Sequence, residues 1–161
     1  MRLLGGLAAL FVTLVARGGD IPAELRGVWK IDTAASIREF AGNPKFASAS
    51  PADQERLPDM VAKMREMLTL YMDGERMAMV RGKKKREAVL ALTQVGERVW
   101  VFTATRLGKS VELTFVEREP GLLLFQSEAT ADLNYYLWRR VPPEQRDPTA
   151  VTPDQAIPDE R

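Results

Sequence analysis

The sequence predicts a mainly β fold, an up-and-down antiparallel barrel of about eight strands with one helix inserted between strands one and two. Three observations carry this. From Leu68 onward, apolar residues recur at every second position between evenly spaced turn signals. One isolated strand pattern, Leu25 to Asp32, comes before them. A single stretch of helical period lies between the two. Closing such hairpin-linked strands on themselves also removes the edges that an open sheet has to protect.

The elements follow in order. Leu25, Gly27, Trp29 and Ile31 alternate with Arg26, Val28, Lys30 and Asp32, the mark of a half-buried strand. Residues 34–50 read as irregular, with Gly42-Asn43-Pro44 breaking any helix. Ser50-Pro51-Ala52-Asp53 then supplies an N-cap, a proline at the first helical position and an acidic first turn. Leu57, Met60, Val61, Met64, Met67 and Leu68 share one helical face. Pro58 lies within it and predicts a kink or a restart.

After Leu68 the period becomes two. Leu68, Leu70 and Met72 lead to Asp73-Gly74, a type I′ hairpin signal, and Met77 and Met79 return. Gly82 and the lysines after it turn the chain again, and Ala88, Leu90 and Leu92 run to Val95-Gly96-Glu97. Trp100 and Phe102 answer them before the turn Leu107-Gly108-Lys109. Val111, Leu113 and Phe115 alternate with Ser110, Glu112 and Thr114 as far as Glu119-Pro120-Gly121. Leu122 to Gln126 and Leu133 to Arg140 complete the set.

The ends of the chain read differently. Met1-Arg2 is a short basic region, and Leu3 to Ala16 is apolar but for Gly5, Gly6 and Thr13. Ala16-Arg17-Gly18 places small residues where a signal peptidase reads them. An apolar run of about 14 residues is short for a bilayer that needs about 20, so the segment reads as a cleaved signal and not as an anchor. Residues 1–18 are therefore expected as a signal peptide, 19–141 as the barrel domain and 142–161 as a disordered, Pro-rich charged tail. The expected compartment is the periplasm or the exterior, with no stable membrane insertion after cleavage. The chain has no Cys, so neither lipid attachment nor disulfides are available, and one hydrophobic core must hold the domain.

Composition narrows the chemistry. With neither His nor Cys, Ser-His-Asp and Cys-His catalysis and imidazole-ligated zinc are excluded. No nucleophile elbow, P-loop, dinucleotide fingerprint or EF-hand loop is present, and no enzyme, cofactor or metal is inferred. A net charge of +1 gives no global field for nucleic acid. The basic run Arg81-Gly82-Lys83-Lys84-Lys85-Arg86 could hold phosphates or anionic lipid. It reads better as a solvated hairpin turn whose lysines protect the strand ends, and no neighbouring aromatics offer base stacking for nucleic acid. Met60, Met64, Met67, Met72, Met77 and Met79 could bind Cu(I), but they fit core or pocket lining better. Glu112, Glu117 and Glu128 form no obvious acid-base pair.

Gly27-Val28-Trp29 on the first strand, the meander from Leu68 to Arg140 and an arginine on the last strand together resemble the lipocalin-like, or calycin, barrels. The likeness is strongest to small exported bacterial proteins with a lipocalin-like domain, and it spans about residues 25 to 141. It implies that Trp29 closes one end of the barrel and that Arg139 or Arg140 packs over it. Side-chain parity favours Arg139, which is in phase with Leu133, Tyr135 and Leu137.

The resulting expectation is an exported barrel that binds a small apolar or amphipathic molecule in its interior. Leu70, Met72, Met77 and Met79 would line it from the first hairpin. Leu90, Leu92, Trp100 and Phe102 would line it from the second, and Leu113, Phe115 and Tyr135 from the rest. The alternative is an envelope-associated structural or protein-interaction module with a solid core. A third reading, an enzyme using a barrel cavity, would need a buried ionisable group with a perturbed pKa facing open space. Processing is directly testable. Intact-mass analysis of exported material should give a soluble chain cut between Ala16 and Asp20, and a full-length mass in the membrane fraction contradicts it.

Overall fold

Antiparallel pairing runs without interruption around eight strands in the computed structural model, which describes residues 20–159, with only the backbone at 130–132. They are β1 (Gly27–Ile31), β2 (Leu68–Asp73), β3 (Arg76–Arg81), β4 (Lys84–Gly96), β5 (Val99–Arg106), β6 (Lys109–Glu119), β7 (Leu122–Ser127) and β8 (Leu137–Arg140). Each pairs with the next, and β8 returns to β1 with Trp29 opposite Arg140. The predicted closed barrel is the fold, and it is consistent with a lipocalin-like one. The expected signal peptide lies outside the described residues.

Two-residue loops join β2 to β7, at Gly74-Glu75, Gly82-Lys83, Glu97-Arg98, Leu107-Gly108 and Pro120-Gly121. The first hairpin is shifted by one residue from the expected Asp73-Gly74. Only Gly74 of its loop has positive φ, whereas type I′ needs both central residues positive. The positive-φ pair falls instead at Leu107 and Gly108.

Residues 33–67 are more helical than the sequence suggests. α1 (Thr33–Ala41) and α2 (Pro44–Ala47) occupy the stretch expected as irregular. The Asp32 carboxylate caps α1 by accepting from the Ala35 amide at 2.9 Å. Asn43 caps α2 just where Gly42-Asn43-Pro44 ends α1. The breaker signal was real, but it separates two helices. α3 (Pro51–Met67) runs through Pro58, which faces solvent and forfeits one backbone bond without ending the helix.

α1 lies against the outside of β7 and β8, where Ala35 packs with Leu122, Leu124 and Leu137. Its buried Ser36 hydroxyl accepts from the Leu137 amide at 2.9 Å, satisfying the first backbone donor of β8. α3 turns Leu57 and Val61 into the core, with Met64 and Met67 packed beside them. Met60, expected on the same buried face, is 43% exposed.

One end of the barrel is plugged. Ile21 and Leu25 are buried there, and the Trp29 indole N–H donates to the Leu25 carbonyl at 3.0 Å. The cation over the Trp29 ring is that of Arg140, 5.8 Å from the centroid. This corrects the expected Arg139, which points outward and donates to Asp32 at 2.7 Å. Parity failed because it was counted from Leu133 onward. Leu133 ends a 3-10 turn (Glu128–Leu133), Asn134 and Tyr135 form a further turn, and β8 begins only at Leu137. Tyr135 therefore stands outside the strands and packs on Phe40, with ring centroids 5.5 Å apart.

The C-terminal residues also differ from expectation. Residues 142–159 run across the outer face of β1 to β4, where they were expected as disordered. The Tyr71 hydroxyl donates to the Val151 carbonyl at 3.2 Å. A ninth strand, β9 (Ile157–Pro158), pairs in parallel with Lys84 and Lys85 of β4. It occupies an edge that β5 leaves open, because β5 pairs with β4 only from Val89 onward. Thr69, Ala78 and Val80 point outward on the crossed face and are buried, as is Ala156 of the crossing segment.

Two predictions follow for stability. Trp29→Ala should cost about 3–5 kcal/mol. Gly27 has φ of +134°, and an added Cβ would stand 3.2 Å from Arg140 Nε. Gly27→Ala should therefore cost about 1–3 kcal/mol, read by chemical denaturation.

Asp32 gives a pH test. Partial burial pushes its carboxyl up, but the Ala35 amide and the Arg139 guanidinium outweigh burial and hold it below the ordinary value. A depressed carboxylate stabilises above its unfolded pKa, and that contribution is lost as pH falls through the folded one. Asp32→Asn keeps the cap but loses the charge. It should lower stability at pH 7 by up to about 1 kcal/mol, with the gap to the native chain closing below about pH 4. A gap that does not change between pH 7 and pH 3 refutes the assignment.

Candidate functional site

The expected lining residues come together in the barrel. Leu70, Met72, Met77, Leu90, Trp100, Phe102, Leu113 and Phe115 are all buried in one cluster. Met79 and Leu92 are half-buried beside it, and Tyr135 joins it only at the periphery. Phe102 and Phe115 meet edge to face at 5.7 Å, and Phe115 meets Phe125 at 5.4 Å. Trp29 and Trp138 fill the same space. The interior is thus occupied by the chain's own side chains, as a narrow barrel permits. One polar atom inside it stands apart. The Trp138 indole N–H is buried and meets no acceptor among the described residues.

Room for a small molecule lies instead at the mouth opposite the Trp29 plug. A cleft of about 470 Å³ opens there beneath the end of α3. Its floor is Met64, Leu68, Met79 and Leu133, side chains that top the barrel core. Its rim is Arg81, Lys84, Lys85 and Arg86, from the end of β3 and the start of β4. This is the basic turn of the sequence, brought against an apolar floor by the β3–β4 hairpin. Antiparallel register explains the join: Met79 faces Arg86 across the pair, so one side of the hairpin carries both a thioether and a guanidinium.

The C-terminal segment supplies the counter-charge. Asp159 lies 3.3 Å from Arg86 Nε and 4.0 Å from Lys84 Nζ. Its backbone amide donates to the Lys85 carbonyl at 2.7 Å, and its own carbonyl accepts from Arg106. Lys85 pairs with Glu87 at 3.0 Å. Arg81 makes no ion pair among the described residues and is exposed at the rim. The arrangement can hold an anionic head beside an apolar surface. A carboxylate of the protein already stands where that head would bind.

Against known proteins, the chain matches no family model, no curated protein and no solved structure. The site therefore rests on its own geometry. Of the mouth residues, sequence reasoning had singled out Met64, Met79 and the basic run, but separately. Leu133 and Asp159 were missed. Nothing local in Ala156-Ile157-Pro158-Asp159 signals that it docks on a strand some seventy positions earlier.

Proposed function

We propose that the protein is an exported, lipocalin-like binding barrel whose ligand is a small amphipathic anion seated at the mouth. The apolar part rests on Met64, Leu68, Met79 and Leu133, and the acidic group turns toward Arg81, Lys84 and Arg86. The observation that carries this is the cleft itself, with an apolar floor under a rim of four cations and one carboxylate. The Gly-x-Trp strand with an arginine over its tryptophan supports a calycin-type assignment, in which a solid lower barrel would serve as the platform. The reading is of binding, not catalysis.

A second reading, a protein-interaction module, draws on apolar side chains left in water. Leu107 is 72% exposed and Ile157 is 65% exposed, with Val89 and Val111 on neighbouring strands also exposed. These lie beside the mouth, on the far side of β4.

Titration of the mature chain with dodecanoate and with dodecanol, followed by tryptophan fluorescence and calorimetry, tests the proposal. Dodecanoate should bind more tightly than the alcohol. Arg81→Ala and Arg86→Ala should each weaken it about three- to tenfold at low salt, the range for a partly exposed charge contact. Met79→Asp should abolish binding of both. Equal affinity for acid and alcohol, or loss of binding in Leu107→Asp but not in Met79→Asp, contradicts the mouth site.

A further inference from the structure

A second cleft, of about 720 Å³, lies on the outer wall of the barrel and does not depend on the mouth. β1 and β2 form its floor, the end of α3 one side, and the segment after β8 the other. Val28, Tyr71, Val141 and Pro142 give it apolar surface. Five cations and three carboxylates line it, and the structure sorts them.

Arg139 is committed to Asp32 at 2.7 Å. Arg140 turns back to the Trp29 ring and to the carbonyls of Ala23 and Arg26. That leaves Lys30, Arg65 and Arg146, each from a different element. Lys30 and Arg65 are neighbours: the Lys30 ammonium donates to the Arg65 carbonyl at 3.4 Å, and the Arg65 guanidinium donates to the Ile31 carbonyl at 3.3 Å. Neither makes an ion pair among the described residues. Asp147, the carboxylate best placed to serve them, is held by its own turn. It accepts from the Thr149 amide at 2.8 Å and from the Thr149 hydroxyl at 2.7 Å. Glu66 is exposed at the cleft edge and makes no ion pair among the described residues.

Two like charges thus sit side by side in the cleft, each on a backbone carbonyl and neither with an ion-pair partner among the described residues. Burial, then the Arg65 charge, pull the Lys30 pKa down, and the Asp147 charge only partly offsets them. A half-buried ammonium beside a guanidinium is an arrangement that an oxyanion stabilises. Three cations reaching in from a strand, a helix end and the C-terminal segment offer more donors than a two-oxygen carboxylate can accept. A phosphate group accepts from three sides.

We propose that this cleft binds the phosphate group of a small phosphate ester or of a phospholipid headgroup, held by Lys30, Arg65 and Arg146 against the wall of Val28 and Pro142. The C-terminal segment then has a positive role, since Arg146 reaches the site only because that segment lies across β1 and β2.

The test uses the mature full chain at low ionic strength. Inorganic phosphate and glycerol 3-phosphate are titrated by calorimetry, with the Lys30 side-chain resonance followed by NMR. Phosphatidylglycerol-containing and pure phosphatidylcholine vesicles are compared by co-sedimentation. Saturable binding of glycerol 3-phosphate with a shift of the Lys30 resonance supports a soluble ester. Binding only to the anionic vesicles supports a headgroup. In either case Lys30→Met and Arg146→Ala should each weaken binding about tenfold, while Arg81→Ala at the mouth leaves it unchanged. Arg146 is exposed, so Arg146→Ala keeps the test valid if Lys30→Met folds poorly. No saturation by ~10 mM of either phosphate together with no preference for anionic vesicles overturns the proposal. So does binding that both variants retain.

Discussion

Arg140 lying over Trp29 is the contact on which closure of the barrel depends. β1 and β8 are short, and they pair through only three residues each, with Trp29 opposite Arg140 at one end of the ladder. The indole fills the barrel floor, the guanidinium covers it, and the guanidinium then reaches the carbonyls of the segment that leads into β1. Gly27 makes this possible by leaving the volume that a Cβ would take from Arg140. One stacking contact of about 0.5–2 kcal/mol would not close a barrel alone. Here it joins the plug, the seam and the incoming chain at one place, so their energies are coupled.

The seam weakens toward the other end. β8 starts late, and β5 leaves β4 early. Each gap is filled by a different part of the chain. α1 covers the first, placing the Ser36 hydroxyl on the Leu137 backbone. β9 covers the second, lying along β4 beside Lys84 and Lys85. Both solutions satisfy backbone groups that a shorter strand leaves without a ladder, which is a strong requirement in a buried setting. β9 and the segment that leads to it also build the two clefts. The mouth forms where β9 brings a carboxylate to the basic hairpin, and the outer cleft forms where the C-terminal segment crosses β1 and β2.

Much of the barrel was legible from residues 68–126. Period-two apolar runs and two-residue turns are local signals, and local twist then brings successive strands together. The lining was legible for the same reason, since parity along a regular strand fixes its face. Parity failed where regularity failed, between Leu133 and Tyr136, and so the wrong arginine was assigned to Trp29. The helical propensity of residues 33–47 was masked by Gly42-Asn43-Pro44, which reads as one break when it is a boundary between two capped helices.

What the sequence by itself determined is the set of strands, their turns, the Gly-x-Trp start and the absence of imidazole and thiol chemistry. The strands, turns and Gly-x-Trp start each depend on residues close together in the chain, and the absence of those chemistries on composition alone. The tertiary structure alone decided which arginine covers Trp29, that the interior is filled, and where the clefts lie. It also decided that residues 142–159 run along the outer wall. These outcomes turn on matching distant surfaces: an open edge on β4 to a dipeptide near the C-terminus, and the outward Tyr71 of β2 to the Val151 carbonyl. A proline-rich, charged segment carries no local sign of such a match, because the free energy that orders it comes from the surface it meets.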